Sequence, residues 1–217
     1  MNMKNLIIVG AGGFGREIYS WLLQHPDYNQ KWIIKGFIDN IWYKKDLSNH
    51  PLRNYSIKVI SKIDDYQVEI NDVFIIALGD PKIKEVMVSK LRDKNAQFIS
   101  YVHPSAIIGE NVFIGEGVVI CPHATLTCDI NIGDFVTINI NSGVGHDSII
   151  GDFSTLSGHC EVTGNCILGK GVFFGTHANI IPNTNIEDYA VVGAGSVGIR
   201  KVKAHTTVFG VPGVKLK

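Results

Sequence analysis

The segment IGDFVTININSGVGHDSIIGDFSTL, which runs from Ile132 to Leu156, carries a large apolar residue at every sixth position. The same spacing extends in both directions, so the stretch from Ile107 to Ser196 contains fifteen such hexads without a break. The repeated residues are Ile108, Ile114, Ile120, Leu126, Ile132, Ile138, Val144, Ile150, Leu156, Val162, Leu168, Phe174, Ile180, Ile186 and Val192. A period of six fits neither the helical repeat nor the alternation of an open sheet. It predicts a β-solenoid.

In such a solenoid each hexad supplies one short strand and one turn, and three hexads close a triangular coil. Neighbouring coils pair at the usual strand spacing of about 4.8 Å, which makes about five coils from this stretch. Four positions after the apolar residue stands a small or β-branched residue, as at Ala124, Ser142 and Cys160, which we expect to point inward. Glycine often follows the apolar residue, as at Gly109 and Gly145. We expect glycine there because turn corners favour backbone angles that a Cβ would resist.

A second pattern lies near the N-terminus, where residues 10–15 read GAGGFG, a G-x-G-x-x-G motif. It stands between a predicted strand, Asn5 to Val9, and a predicted helix of roughly Phe14 to Gln24. Glycines in this position let the backbone approach a phosphate, and the helix N-terminus presents N–H groups with a partial positive charge. The alternative interpretation is a tight turn between a strand and a helix, without a ligand.

Two further apolar runs, Trp32 to Ile38 and Val73 to Leu78, predict strands, and a helix follows the second run to about Arg92. Ligands of parallel sheets bind at the carboxyl ends of the strands. The candidate substrate-binding residues are therefore Gly12, Gly13, Phe14, Asp39, Asn40 and Gly79. Only a mononucleotide-sized half-Rossmann unit precedes the hexads, which favours a nucleotide-linked sugar over a nicotinamide cofactor. We predict an α/β nucleotide-sugar-binding domain in residues 1–102 and an all-β solenoid in residues 103–217.

Composition narrows the classes of partner. Formal net charge is zero, with 45% hydrophobic and 18% charged residues, so neither nucleic acid nor an anionic membrane surface is favoured as a partner. We expect no membrane span, because no segment reaches about 18 consecutive apolar residues. The four cysteines form no C-x-x-C pair, and Cys160 and Cys166 are expected to be small apolar fillers. The expected location is the cytoplasm.

His146 interrupts its hexad at a predicted turn and is followed by Asp147. Imidazole is the natural general base near neutral pH, and a neighbouring carboxylate can fix its tautomer. A solvated turn histidine is the alternative. Three other histidines, His123, His159 and His177, share one hexad position and can stack as a ladder. A zinc site is a further possibility for these three, but one vertical column does not form a tetrahedral cage, so no metal is expected.

The hexads and the glycine motif together resemble the NeuD/PglD-type sugar acetyltransferases, members of the hexapeptide-repeat acyltransferases. This resemblance covers essentially the whole chain, and NINSGVGHD, from Asn139 to Asp147, resembles the catalytic motif of that family. It implies a left-handed parallel β-helix, a homotrimer, and transfer of an acetyl group from acetyl-CoA to a nucleotide-linked amino sugar. His146 and Asp147 match the catalytic pair, and Asn139 is a further candidate substrate-binding residue. The family's pantetheine groove maps onto Thr155, Thr176 and Ala194.

The sequence thus predicts an acetyl-CoA-dependent N-acetyltransferase of nucleotide-linked amino sugars in glycan biosynthesis. Transfer to a hydroxyl of a sugar or of a serine-like acceptor is an alternative within the enzymes. A nucleotide-binding solenoid without catalytic activity is the alternative outside them. Arg200, Lys201 and Lys203 follow the last hexad and could meet the phosphates of coenzyme A, although a solvated basic tail explains them equally well.

Overall fold

The computed structural model describes residues 3–216, and its contacts divide the chain into two compact units. The first unit comprises the residues up to Leu78 together with Ile83–Ile99. The second comprises Gly79–Lys82 and the chain from Ser100 onward. Each unit is built on its own hydrophobic core.

The first part of the chain forms a parallel sheet with helices. In chain order the elements are β1 Lys4–Val9, α1 Gly13–Leu22, β2 Trp32–Ile38, a 3₁₀ helix Leu47–Asn49, β3 Val59–Ser61, β4 Asp72–Ile76, α2 Pro81–Arg92 and β5 Gln97–Phe98. The strand order is β3-β2-β1-β4-β5, and every neighbouring pair is parallel. The predicted strands and both helices are confirmed. The sequence does not predict β3 and β5, because runs of three and two residues carry too little periodicity.

The burial pattern explains why these segments adopt these forms. β1 lies between β2 and β4, and its residues Leu6 to Val9 are all 0% exposed, as expected for a central parallel strand. α1 buries Gly15, Ile18, Tyr19 and Leu22, which share one face of a helix. These two elements place the glycine motif at the carboxyl end of the sheet.

A buried polar network stabilises the first unit around Asp72, whose side chain is 0% exposed. Tyr66 Oη donates to Asp72 Oδ2 at 2.6 Å, Lys35 Nζ donates to Oδ1 at 3.1 Å, and the Glu69 N–H donates to Oδ2 at 2.9 Å. Burial alone would raise the pKa of Asp72, but the bonds from Tyr66, Glu69 and Lys35 outweigh it and lower that pKa. Burial and the bond to Asp72 raise the pKa of Tyr66 to about 12.

Asp72→Asn is expected to destabilise the first unit by about 2 kcal/mol at pH 7, because Lys35 Nζ would keep only the exposed carboxylate of Glu69, at 2.9 Å, as its counter-charge. A lowered folded-state pKa contributes stability above the unfolded value, and this contribution is lost as pH falls through the folded value. The difference in the free energy of unfolding between wild type and Asp72→Asn should therefore decrease in acid, below about pH 4. Urea unfolding followed by helical circular dichroism measures it. The control Asp27→Asn, which removes a partly exposed pair with Lys31, should change stability by less than about 1 kcal/mol.

From Tyr101 onward the chain consists of short strands joined by turns. They are β6 Tyr101–Val102, β7 Ile107–Ile108, β8 Val112–Ile114, β9 Val119–Ile120, β10 Thr125–Leu126, β11 Ile130–Ile132, β12 Thr137–Ile138, β13 Gly143–Val144, β14 Ile149–Ile150, β15 Thr155–Leu156, β16 Glu161–Val162, β17 Ile167–Leu168, β18 Phe173–Phe174, β19 Asn179–Ile180, β20 Asn185–Ile186, β21 Val191–Val192, β22 Val197–Gly198, β23 Thr207–Phe209 and β24 Val214–Lys215. The predicted hexads are confirmed, and the first solenoid strand lies one hexad before Ile108.

From β6 to β22 the strands form three parallel sheets, in which each strand is paired with the third strand after it along the chain. The third sheet is extended by β23, which is parallel to β21, and by β24, which is antiparallel to β23. Thr125 lies opposite Gly143, and Gly143 lies opposite Glu161, so one coil takes 18 residues. The repeated apolar residues from Ile120 onward are at most 1% exposed and form one continuous core. Cys160 and Cys166 lie in this core as predicted, and burial raises the pKa of Cys160 to about 11.

The turn residues correct one sequence-based expectation. A positive φ recurs at every sixth position, three residues after the inner apolar residue. These positions are Asn111, Gly117, His123, Asp129, Phe135, Asn141, Asp147, Phe153, His159, Asn165, Gly171, His177, Asn183, Tyr189 and Gly195. Asn, Asp and His tolerate this left-handed region better than most residues. The glycines that follow the apolar residues, such as Gly109 and Gly145, lie outside it, so the reason predicted for them is wrong.

Close approach between coils explains those glycines instead. A Cβ at Gly109 would lie 1.6 Å from the carbonyl oxygen of Thr127, in the next coil. A Cβ at Gly145 would lie 2.6 Å from the Gly164 nitrogen. Any side chain at these positions would push two coils apart and break their pairing.

Candidate functional site

The turn after β13 brings His146 and Asp147 together. His146 Nδ1 lies 2.8 Å from Asp147 Oδ2, and both side chains are more than 60% exposed. Asp147 has a φ of 59°, in the left-handed region. The turn is held between neighbouring coils, because the Asp147 N–H donates to the Cys128 carbonyl at 3.3 Å and the Asn165 N–H donates to the His146 carbonyl at 2.7 Å.

The chemistry of this pair follows from which atoms can carry a proton. An ionised carboxylate only accepts hydrogen bonds, so the hydrogen between the two side chains belongs to His146 Nδ1. Nε2 of a neutral ring is then left as the acceptor, which is the requirement for a general base. The neighbouring thiol is no competitor, because a hydrogen bond with Asp129 raises the pKa of Cys128 and disfavours its thiolate.

The glycine motif in the first unit contains two kinds of glycine. A Cβ at Gly15 would lie 2.0 Å from the Gly10 carbonyl oxygen, and Gly10 itself has a φ of +103°. By contrast, a Cβ at Gly12 would meet nothing within 4 Å, and one at Gly13 would meet only Arg16 Nη2, at 4.0 Å. Gly10 and Gly15 therefore serve the fold, whereas Gly12 and Gly13 border open space.

The open side of this loop suits an anionic group. Gly12 is the N-cap of α1 and Gly13 its first residue. Within residues 3–216, the N–H groups of Gly13, Phe14 and Gly15 donate to no backbone carbonyl. Such N–H groups and the helix dipole bind phosphate. Arg16 adds a guanidinium whose buried Nε has no hydrogen-bond partner among the described residues. Arg16 is not among the site residues predicted from the sequence, although a basic residue in the first turn after the glycines is a visible signal.

Gly13→Val is expected to raise the KM for the predicted nucleotide-linked sugar by about tenfold or more and to leave stability nearly unchanged. The valine side chain would extend into the space predicted for the ligand and would not clash with protein atoms. Steady-state kinetics and thermal unfolding measure the two effects. The contrasting variant Gly15→Val should unfold the first unit because of its clash with Gly10. Unchanged sugar-nucleotide binding in Gly13→Val would leave the loop as a turn without a ligand.

Asp39 and Asn40, which follow β2, are already engaged within the first unit. Asp39 is 8% exposed; its Oδ2 accepts the Ala11 N–H at 2.8 Å, and its Oδ1 accepts the Ile41 N–H at 2.7 Å. Asn40 Oδ1 accepts the Ile63 N–H at 2.8 Å. Asp39 therefore ties the glycine motif to the chain after β2. A direct contact of either side chain with the substrate stays a prediction.

The contacts of Gly79 assign this residue to the second unit. There Gly79 and Lys82 border a cavity of about 460 Å³, together with Phe173 and Tyr189. Lys82 Nζ lies 5.9 Å from the centre of the Tyr189 ring. The sequence does not associate these four residues, and the role of Gly79 in nucleotide binding stays a prediction.

The residues proposed for the pantetheine groove occupy two different settings, a turn and a strand. Thr176 and Ala194 are exposed, occupy equivalent turns of consecutive coils, and are joined through the Gly195 N–H, which donates to the Thr176 carbonyl at 2.9 Å. Thr155 lies on a strand, in β15, and is 3% exposed. Asn139 lies in the turn that precedes β13, where its Oδ1 accepts the Ile140 N–H at 2.7 Å. The turn of His146 is a different corner of the prism.

A basic cavity lies at the last coil of the solenoid. Arg200, Lys201, Lys203 and Lys215 border a space of about 430 Å³. Lys201 Nζ pairs with Glu187 Oε1 at 2.5 Å, and this bond lowers the pKa of Glu187. The cavity has the charge that a phosphate requires.

The histidine ladder is partly confirmed. The rings of His159 and His177 stack with centroids 4.7 Å apart, and Asn141 stands between His123 and His159 in the same column. Within residues 3–216 there is no group of three potential ligands that could hold a metal ion. The same residues contain no helix of the length and apolarity that a bilayer crossing requires.

Known proteins share both units. The family profile of the PglD N-terminal domain matches residues 5–91. The UDP-N-acetylbacillosamine N-acetyltransferase of Bacillus subtilis (strain 168) is 30% identical over 119 residues, which are 54% of this chain and 51% of that protein. The match thus spans about half of that relative's length.

Two solved structures match over the full chain. WeeI from Acinetobacter baumannii AYE is 29% identical, with a TM-score of 0.85 over 99% of this chain and 100% of that chain. A mutant of perosamine N-acetyltransferase from Caulobacter crescentus, in complex with CoA and GDP-perosamine, is 23% identical, with a TM-score of 0.86 over 100% and 98%.

Fold and comparisons together define the class: the second unit is a left-handed parallel β-helix of the kind found in hexapeptide-repeat acyltransferases. Within that class, residues 5–91 in the first unit match the PglD N-terminal domain. The resemblance of the chain to the PglD-type sugar acetyltransferases is confirmed.

Proposed function

We propose that this protein is an N-acetyltransferase that moves an acetyl group from acetyl-CoA to the amine of a nucleotide-linked amino sugar. The observation that carries the proposal is the 2.8 Å contact between His146 Nδ1 and Asp147 Oδ2, which leaves Nε2 to act as the base. The open glycine motif at Gly12 and Gly13 supports a diphosphate-bearing substrate. The names of the relatives, which include N-acetyltransferases for bacillosamine and perosamine, favour an amine as the acceptor.

In the proposed reaction the amine nitrogen attacks the thioester carbonyl and forms the C–N bond. His146 Nε2 takes the proton that the amine loses, and Asp147 stabilises the imidazolium that results. Collapse of the tetrahedral intermediate breaks the C–S bond, and the thiolate of coenzyme A leaves with the proton from His146. The products are an acetamido sugar nucleotide and free coenzyme A.

We assign one of the two substrates to each of the two predicted domains. Residues 1–102 hold the nucleotide-linked sugar, and residues 103–217 hold acetyl-CoA and the base. Thr176 and Ala194 contact the pantetheine arm, and the basic cavity at Arg200 and Lys203 takes a phosphate of coenzyme A. Among the described residues the cysteines form no disulfide, which suits the cytoplasm, where we place the enzyme in glycan biosynthesis.

A screen of UDP-, dTDP- and GDP-linked amino sugars with acetyl-CoA tests the activity through release of the free thiol. Sugar nucleotides with a hydroxyl in place of the amine, and free serine, serve as matched acceptors. Thiol release only with amino sugars, together with an acetamido product by mass spectrometry, is the expected result. Release with the hydroxyl acceptors would favour O-acetylation instead. Nucleotide binding without any thiol release would identify a binding protein.

We also propose that the active form is a homotrimer. His146 and the groove residues Thr176 and Ala194 lie on different corners of one prism, so a neighbouring copy could complete each site. Exposed apolar residues on one sheet support such contact, because Phe113, Ile149 and Ile167 are 69%, 47% and 47% exposed. Ile149 and Ile167 are direct neighbours in this sheet, and Asn131 separates them from Phe113. Closed symmetry about a threefold axis gives three equivalent sites.

The double variant Ile149→Glu, Ile167→Glu is expected to convert the trimer to monomers and to abolish acetyl transfer and coenzyme A binding together. Sedimentation velocity and calorimetry measure the two losses. Nucleotide-sugar binding by the first unit should persist, and Lys62→Glu in that unit should remain trimeric. A fully active monomer would contradict the shared site.

A further inference from the structure

Gly164 lies one coil of 18 residues after His146, directly against its imidazole ring. A Cβ built on Gly164 would lie 2.5 Å from His146 Nε2, 2.6 Å from Cε1 and 3.0 Å from Cδ2. These are the three heavy atoms nearest to that Cβ, and all belong to one ring. The imidazole therefore occupies the space that any side chain at position 164 would need.

The backbone does not require glycine at this position. Gly164 lies outside the left-handed region, and the positive φ belongs to the following residue, Asn165. The equivalent position of other hexads, just before the left-handed residue, accepts Thr176, Pro182 and Ala194. Coil pairing therefore tolerates side chains at this position. Gly164 differs from Gly158, the other glycine at this hexad position, in that its nearest neighbour is the ring of His146.

The orientation of the His146 ring against Gly164 matters for the proposed role of this histidine as a base. Nδ1 faces Asp147, whereas Nε2 and Cε1 face the empty side of Gly164. A methyl group there would push the ring out of its place and strain its bond to Asp147, because contacts under 3.0 Å cannot be kept.

We propose that Gly164 is a positioning residue for the acetyl transfer. By lacking a side chain it allows the orientation of His146 in which Nδ1 is bound to Asp147 and Nε2 is available as the base. This inference rests on the proposed function for its kinetic consequence, but the geometry it describes can be measured without a substrate.

The kinetic test is Gly164→Ala. We expect kcat to fall by about tenfold or more while the KM values for acetyl-CoA and the sugar nucleotide stay within about twofold, because only the base is displaced. In a His146→Ala background the same substitution should have no further effect, since it acts through the imidazole. An unchanged kcat in Gly164→Ala, or an equal loss without His146, would overturn the proposal.

Gly158→Ala is the matched control for stability. Gly158 occupies the same hexad position, and the three heavy atoms nearest to its Cβ would all belong to Ile140, the closest being Cγ1 at 3.3 Å. Both variants should fold with Tm values close to wild type. A large loss of Tm in Gly164→Ala alone would mean that the glycine serves the fold, which contradicts a positioning role.

Long-range ¹H–¹⁵N spectra of histidine-labelled protein provide the substrate-free test, with the His146 signals assigned by their absence in His146→Ala. We expect the Nδ1–H tautomer of His146 in the wild type and its partial loss in Gly164→Ala. Identical spectra would refute the proposed geometry. If the spectra change but no amino sugar is acetylated by the wild type, the proposed function fails and the positioning of His146 stands.

Discussion

Replacement of His146 by alanine is expected to lower kcat for acetyl transfer by about 10²-fold or more. Nδ1 of this ring is bound to Asp147, so Nε2 is the nitrogen that removes the proton from the amine, and alanine has no group to replace it. Binding of the nucleotide-linked sugar should be nearly unchanged, because the glycine motif belongs to the other contact unit. Steady-state kinetics and titration calorimetry separate the two quantities.

The control for this variant is His123→Ala, which removes an exposed histidine from another turn of the solenoid. It should retain wild-type kcat. Asp147→Asn should reduce kcat less than His146→Ala, because it weakens the support of the imidazolium but leaves the base in place. Near-normal turnover of His146→Ala would remove this residue from the mechanism.

Phe174→Ala should lower the free energy of unfolding of the solenoid by about 3 to 5 kcal/mol. Phe174 is 0% exposed and is paired in register between Leu156 and Val192, the inner residues of the neighbouring coils. Truncation leaves a cavity in a core that is a single column, so few side chains can move to fill it. Urea unfolding of the full chain, followed by sheet circular dichroism, measures the loss.

A surface truncation provides the comparison. Val214, in β24, is 62% exposed, and Val214→Ala should change stability by no more than about 0.5 kcal/mol. If Phe174→Ala were equally mild, the column would be adaptable and the core would not hold the coils in register.

The hexad spacing was sufficient to predict the solenoid. The pattern is repeated fifteen times, so one atypical residue in a single hexad does not change the period. Inner residues from Ile120 to Val192 are buried as the spacing predicts. The strand and helix around the glycine motif were equally predictable, since both are local. The spacing also predicted a turn at His146 and Asp147, which lie two and three positions after the inner residue Val144. Their role as the base and its support rests on the resemblance to the family and stays a proposal.

The remaining features depend on contacts between residues that are distant in sequence, and no local pattern predicts such contacts. Gly109 and Gly145 are required by the next coil, 18 residues away, and not by their own backbone angles. Asp39 bonds to the Ala11 N–H, 28 residues earlier, and so holds the glycine motif as well as bordering it.

The sequence by itself therefore determined the period, the fold class of each unit and the adjacency of His146 and Asp147, because these depend on neighbours along the chain. Only the tertiary structure decided which glycines border open space and which are packed against backbone. It also decided that Gly164 meets the ring of His146, because coil stacking brings together residues that are far apart in sequence.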